Sequence, residues 1–95
     1  MPRAKLPPAT VQESLSALAG WTLQGEDAIT KQFILEDHIT ALGFVVRVAT
    51  AAEVMDHHPD IHWAYNRVRF TLSTHDAGGL TKNDFELAAR IEALK

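Results

Sequence analysis

The chain has 95 residues, no cysteine and a net charge of −3 at neutral pH. That length suits one hydrophobic core and a single domain over residues 1–95, and the missing thiols exclude a disulfide framework, a thiolate nucleophile and a cysteine-type zinc site. The basic residues, among them Lys31, Arg47, Arg67, Arg69, Lys82 and Arg90, never gather into a stripe that could neutralise a row of phosphates, so nucleic acid is not expected as a direct ligand.

The opening MPRAKLPP carries three of the four prolines and reads as a loose tail over residues 1–8. Polar TVQES follows it instead of an apolar segment, so no targeting signal is expected. No apolar run approaches the roughly 20 residues of a membrane span, and a soluble, cytoplasmic protein is the expectation. Thr10 and Glu13 have the spacing of a capping box. Val11, Leu15 and Leu18 then recur at helical spacing up to Gly20, which predicts a short first helix. Residues 21–23 and 29–34 flank QGED, whose Gly and Asp suit a turn, and predict a hairpin.

Residues 37–56 contain no Gly or Pro except Gly43 and predict a long helix. At about 100° per residue, Leu42, Val46, Ala49 and Glu53 form one narrow row. Phe44, Val45, Val48, Ala52 and Met55 carry the apolar arc past half the circumference. That is wider than contact with one sheet requires, so one flank of this helix is expected in a homo-oligomer interface, as a dimer or a tetramer. Pro59 cannot continue the helix and biases His58 toward extended geometry. Ile61, Trp63 and Tyr65 alternate with His62 and Ala64, and Val68, Phe70 and Leu72 alternate with Arg69 and Thr71, giving a second hairpin across a turn at Asn66 and Arg67. After THDAGG, Thr81 and Asp84 open a last helix whose Phe85, Ala88, Ile91 and Leu94 share a face. Two hairpins and three one-sided helices predict an α+β fold: a two-layer sandwich in the order αββαββα. A four-stranded antiparallel sheet carries three helices on one face and leaves the other free for solvent or ligand.

The stretch EVMDHHPD, residues 53–60, packs three carboxylates, two adjacent imidazoles and a proline together, a density that folding does not need. Histidine titrates nearest neutrality, so His57 and His58, with His75 beyond the second hairpin, suggest proton transfer or metal binding. Pro59 between His58 and His62 excludes a zincin-like helical pair; a metal site built from His57, His58 and His75 stays geometrically open.

These residues resemble the pterin-4a-carbinolamine dehydratase family. Glu53, His57-His58-Pro59, Tyr65 and THDAGGLTKND with His75 and Asp84 match its motifs, as do the Gly20-Trp21 pair and the closing DFELAARI. The likeness covers nearly the whole chain and is strongest over residues 52–89. It is looser over residues 31–44, where His38 stands in place of a common aromatic. The resemblance implies a dehydratase acting on a small pterin substrate, with neither metal nor cofactor. It implies His57 and His75 as the acid/base pair, with His58 orienting the substrate or sharing the proton work. Glu53 and Asp56 would fix an imidazole or hydrogen-bond pterin nitrogens, Pro59 and an aromatic wall from Trp21 would complete the substrate contacts, and Asp84 would support the site. Asp84 equally suits a helix cap, Trp21 a core position and Tyr65 hairpin packing; His38 and His62 have no assigned role. Some relatives act as dimerisation cofactors for homeodomain transcription factors, and some diverged plant relatives resemble assembly chaperones that lack the histidines. A non-catalytic module that binds a protein partner through its helical face is therefore the alternative, and Val48→Asp on that face is expected to impair it. The enzyme reading needs the imidazoles of His57, His58 and His75 to converge on one hollow.

Overall fold

Residues 4–95 are described by a computed structural model; the first three residues of the expected tail lie outside them. The two inner strands, β2 (Ala28–Ile34) and β4 (Arg67–Leu72), decide the architecture through their alternation. Ile29, Phe33, Val68, Phe70 and Leu72 project to one face and are almost wholly buried, whereas Gln32, Ile34, Arg67 and Arg69 are exposed on the other. With the outer strands β1 (Thr22–Gln24) and β3 (Asp60–Ala64) the sheet runs β1-β2-β4-β3, every neighbour antiparallel. Helices α1 (Pro8–Ser16), α2 (His38–Met55) and α3 (Lys82–Leu94) send Val11, Phe44, Val48, Leu87 and Ile91 into the core on the buried face. The fold is thus the expected α+β arrangement in the order αββαββα, with one sheet face uncovered.

Within α2 the buried row is Ala41, Phe44, Val48 and Ala52. Leu42 and Val46, with Ile39 and Val54, lie on the opposite side by helical spacing and remain exposed, Val46 at 54%. The excess apolar arc therefore has no partner among the described residues. Val48, expected on a partner-facing surface, belongs to the core. By length and composition alone α2 could cross a membrane, a feature the sequence reading did not anticipate. Its packing on the sheet, with Arg47 and Glu53 exposed, marks it as a core helix with an apolar outer flank.

Asp37 caps α2 by accepting the Thr40 N–H at 2.8 Å. Side-chain and backbone hydrogen bonds from Thr40 hold its carboxyl below the ordinary value of 3.8. Because the folded value is the lower one, this carboxylate contributes its full stability above the ordinary value and loses it as pH falls through the folded one. Asparagine caps comparably but does not ionise. The gap in thermal midpoint between wild type and Asp37→Asn is therefore expected to close as pH falls below the aspartate range, which scanning calorimetry at neutral and acid pH would measure.

Three local expectations are corrected. Helix α1 begins at Pro8 without a side-chain cap, because the ring fixes the φ that a first helical residue needs, and Thr10 falls inside the helix instead of capping it. Residues 4–8 are not a uniformly loose tail: Leu6 donates its N–H to the Leu80 carbonyl at 2.8 Å and packs against the core. The second hairpin turns at Tyr65 and Asn66, one residue earlier than expected. Asn66 is held by Leu35 through both its backbone carbonyl and its side-chain amide, and Tyr65 takes a left-handed φ of 54°. Tyr65 is exposed, and its carbonyl accepts from the Trp63 indole and lies 2.9 Å from the His38 ring, which stacks on Trp63.

Candidate active site

The exit of α2 delivers the paired histidines. Asp56 adopts φ 51°, ψ 45°, a left-handed conformation that Asp tolerates, and its N–H and that of His57 bond back to Glu53 and Ala52. This helix stop turns His57 inward, where it is 5% exposed, while Pro59 carries His58 outward toward β3.

His57 Nε2 lies 2.6 Å from Oδ1 of Asp84, which is 0% exposed. The other carboxylate oxygen accepts the Thr74 hydroxyl at 2.9 Å and the Thr81 N–H at 2.8 Å. Since Thr74 donates to Asp84, its oxygen accepts from the Thr81 hydroxyl at 2.8 Å, and that hydroxyl in turn accepts the Asn83 N–H. An acceptor surrounded this way assigns the proton of His57 to Nε2. No buried side-chain nitrogen or oxygen among the described residues lacks a partner, and Nδ1 of His57 has none, so Nδ1 is the ring atom that still meets solvent. The capping box read in the sequence is present, and the same Asp84 side chain also seats His57.

Thr74 extends this network to the third histidine. Its backbone pairs with Gly79, and between them residues His75–Ala77 form a 3-10 turn closed by Gly78 at φ 75°, a left-handed position suited to glycine. Asp84 thus ties together the end of α2, the exit of β4 and the start of α3, and holds His57 next to the base of the His75 turn.

His58 and His75 line one cleft of about 190 Å³ on the uncovered sheet face, with Gln24, Ala28, Asp60, Thr71 and Ser73 as its other walls. Larger hollows of about 360 and 320 Å³ lie by the N-terminal segment and the start of α3, and neither is lined by an imidazole that could move a proton. His57, expected to converge with His58 and His75 on one hollow, is instead drawn into the interior by Asp84 and is not a wall of the cleft. Glu53 reaches the cleft only through His58, whose Nε2 lies 2.8 Å from its Oε1, an exposed pair. Asp56 serves the helix stop, and neither it nor Pro59 lines the cleft. Trp21, expected as an aromatic wall, is instead a core residue packed edge-on against Phe33. Its indole N–H donates to Glu92, which also pairs with Lys31. Among the described residues, no three His, Asp or Glu side chains gather in a metal-holding arrangement. Sequence reasoning assigned no role to Gln24, Asp60, Thr71 and Ser73. Strand alternation could have placed Asp60 and Thr71 on a shared face, since they are direct partners in the ladder.

Arranged this way, two accessible imidazoles can exchange protons with a flat molecule lying on a polar floor, and a buried carboxylate fixes the third. Residues 4–94 match the sequence profile of the family described as pterin 4 alpha carbinolamine dehydratase. A protein of Acidobacterium capsulatum, provisionally named a pterin-4-alpha-carbinolamine dehydratase, is 52% identical over 91 residues, covering 96% of this chain and 98% of that one. The crystal structure of a transcriptional coactivator/pterin dehydratase from Brucella melitensis superposes with a TM-score of 0.91 at 42% identity, over 95% and 97% of the two chains. A pterin dehydratase-like protein identified as a RuBisCO assembly factor in the alpha-carboxysome superposes with a TM-score of 0.68 at 26% identity, over 79% and 88%. With a family profile spanning almost every residue and a half-identical relative of nearly the same length, the chain belongs to the pterin-4a-carbinolamine dehydratase family.

Proposed function

We propose that the protein removes water from a 4a-hydroxytetrahydropterin to give the quinonoid dihydropterin, a step in tetrahydropterin recycling, by histidine acid/base catalysis. An acid protonates the departing C4a hydroxyl and a base takes the N5 proton. The N5 electron pair forms the C4a=N5 double bond as water leaves, so one proton is delivered and one removed. His58 and His75 stand in the cleft for these transfers. His57, with Nε2 committed to Asp84, offers Nδ1 as a third proton site. The meeting of His58 and His75 in one cleft, from the exit of α2 and the turn after β4, is the observation that carries this reading. The test is to generate the carbinolamine and follow quinonoid dihydropterin by absorbance. Addition of the protein is expected to accelerate its formation over the spontaneous reaction, and an unchanged rate would refute the proposal.

The exposed apolar flank of α2 supports self-association, and it equally favours the second reading, an assembly or dimerisation module for a protein partner. Val46→Asp puts a charge on that flank without touching the core. It is expected to shift the protein to a smaller species in light scattering, whereas His75→Ala leaves the oligomer intact. A cytoplasmic setting remains part of the proposal.

A further inference from the structure

We infer that Asp60 reads the pyrimidine edge of the bound ring and sets specificity for a 2-amino-4-oxo heterocycle. The inference rests on the dehydratase reading and deepens it. A pterin presents its N3–H and 2-amino group side by side, two donors that match the two oxygens of one carboxylate, and such paired charge-assisted bonds give both strength and geometric selectivity. The histidine motif contains three carboxylates, and the fold separates their duties. Glu53 is paired with His58, and Asp56 closes α2 away from the cleft. Asp60 alone of the three lines the cleft, and its carboxylate makes no hydrogen bond or ion pair among the described residues.

Its position suits the task. As the first residue of β3, directly opposite Thr71 on β4, Asp60 stands on the uncovered sheet face in the same cleft as both accessible imidazoles. Ala28 presents only a methyl group to that cleft, leaving room for a planar ring, and no other carboxylate lines it. A ring whose amidine edge is held by Asp60 is fixed in one orientation relative to His58 and His75, which proton delivery to a single face requires. A carbonyl at the 2-position would set an acceptor against the carboxylate and forfeit a bond, so the 2,4-dioxo analogue is disfavoured.

The test is equilibrium binding of 6-hydroxymethylpterin and of 6-hydroxymethyllumazine, its 2,4-dioxo counterpart, followed by ring fluorescence. Wild type is expected to prefer the pterin by about 10- to 100-fold. Asp60→Asn, whose amide can donate to a 2-carbonyl, is expected to weaken pterin binding at least tenfold and to bring the ratio to unity or invert it. Asp76→Asn, next to His75 but outside the cleft, keeps the wild-type preference and serves as the control. An unaltered preference in Asp60→Asn would overturn the assignment while leaving the dehydratase reading intact. Failure of the wild type to bind either ring would overturn both.

Discussion

Replacing His75 with alanine is expected to slow carbinolamine dehydration by about 10²- to 10⁴-fold, the range that one well-placed acid or base supplies. His75 is exposed at the first position of its 3-10 turn, and its ring makes no hydrogen bond among the described residues. Its loss therefore removes a proton carrier and little packing, and stability should change by no more than about 0.5 kcal/mol. His58→Ala is expected to behave similarly, because the Glu53 pair it breaks is exposed and contributes little. His57→Ala differs in kind: it leaves a buried carboxylate short of one donor, so rate and thermal midpoint should fall together. Initial rates and unfolding curves on the three variants separate these outcomes. A His75→Ala enzyme turning over at the wild-type rate would remove that residue from the chemistry.

Asp84→Ala is expected to destabilise the protein by about 3–5 kcal/mol, because three donors from three segments lose their common buried acceptor. For a domain of this size that lowers the thermal midpoint by about 10 °C or more. Asp84→Asn is the more informative change. The Thr81 N–H can only donate and the Thr74 hydroxyl already donates, so they retain the amide oxygen and the amide NH₂ is left facing His57 Nε2. His57 must then accept at Nε2 and carry its proton on Nδ1, the solvent-facing atom, reversing the tautomer it presents. The variant should stay folded with reduced turnover, and nitrogen shifts of the His57 ring should report the exchange. An unchanged tautomer in a folded Asp84→Asn protein would show that Asp84 does not set it.

How far the sequence could be read depended on how local the deciding physics was. Thr81 and Asp84 are three residues apart and form the capping box that their spacing announced; that Asp84 also grips His57 depends on a contact across 27 residues. The breadth of the α2 apolar arc was legible from helical spacing. Which row faced inward was not, because the sheet chose Phe44, Val48 and Ala52 and left Leu42 and Val46 outside. The second turn shifted by one residue because Leu35, more than 30 residues away in sequence, clamps Asn66. Trp21 carries the family pairing with Gly20, yet a buried indole needs a hydrogen-bond partner, and half-buried Glu92 on α3 supplies it at the edge of the core. His58 and His75 were legible as types suited to proton transfer. The open-face residues around them were not assembled from it: alternation within β3 and β4 gives the faces of Asp60 and Thr71, but their meeting with Gln24 and Ser73 depends on pairing between distant segments.

The most direct measurement is a titration of the protein with 7,8-dihydropterin while the ring signals of all five histidines are followed by NMR. The account predicts that the imidazoles of His58 and His75 shift together at one saturating ratio, with a smaller response from His57, while His38, stacked on Trp63 at the far end of α2, stays in place. Saturable binding that leaves the signals of His58 and His75 unmoved would contradict it.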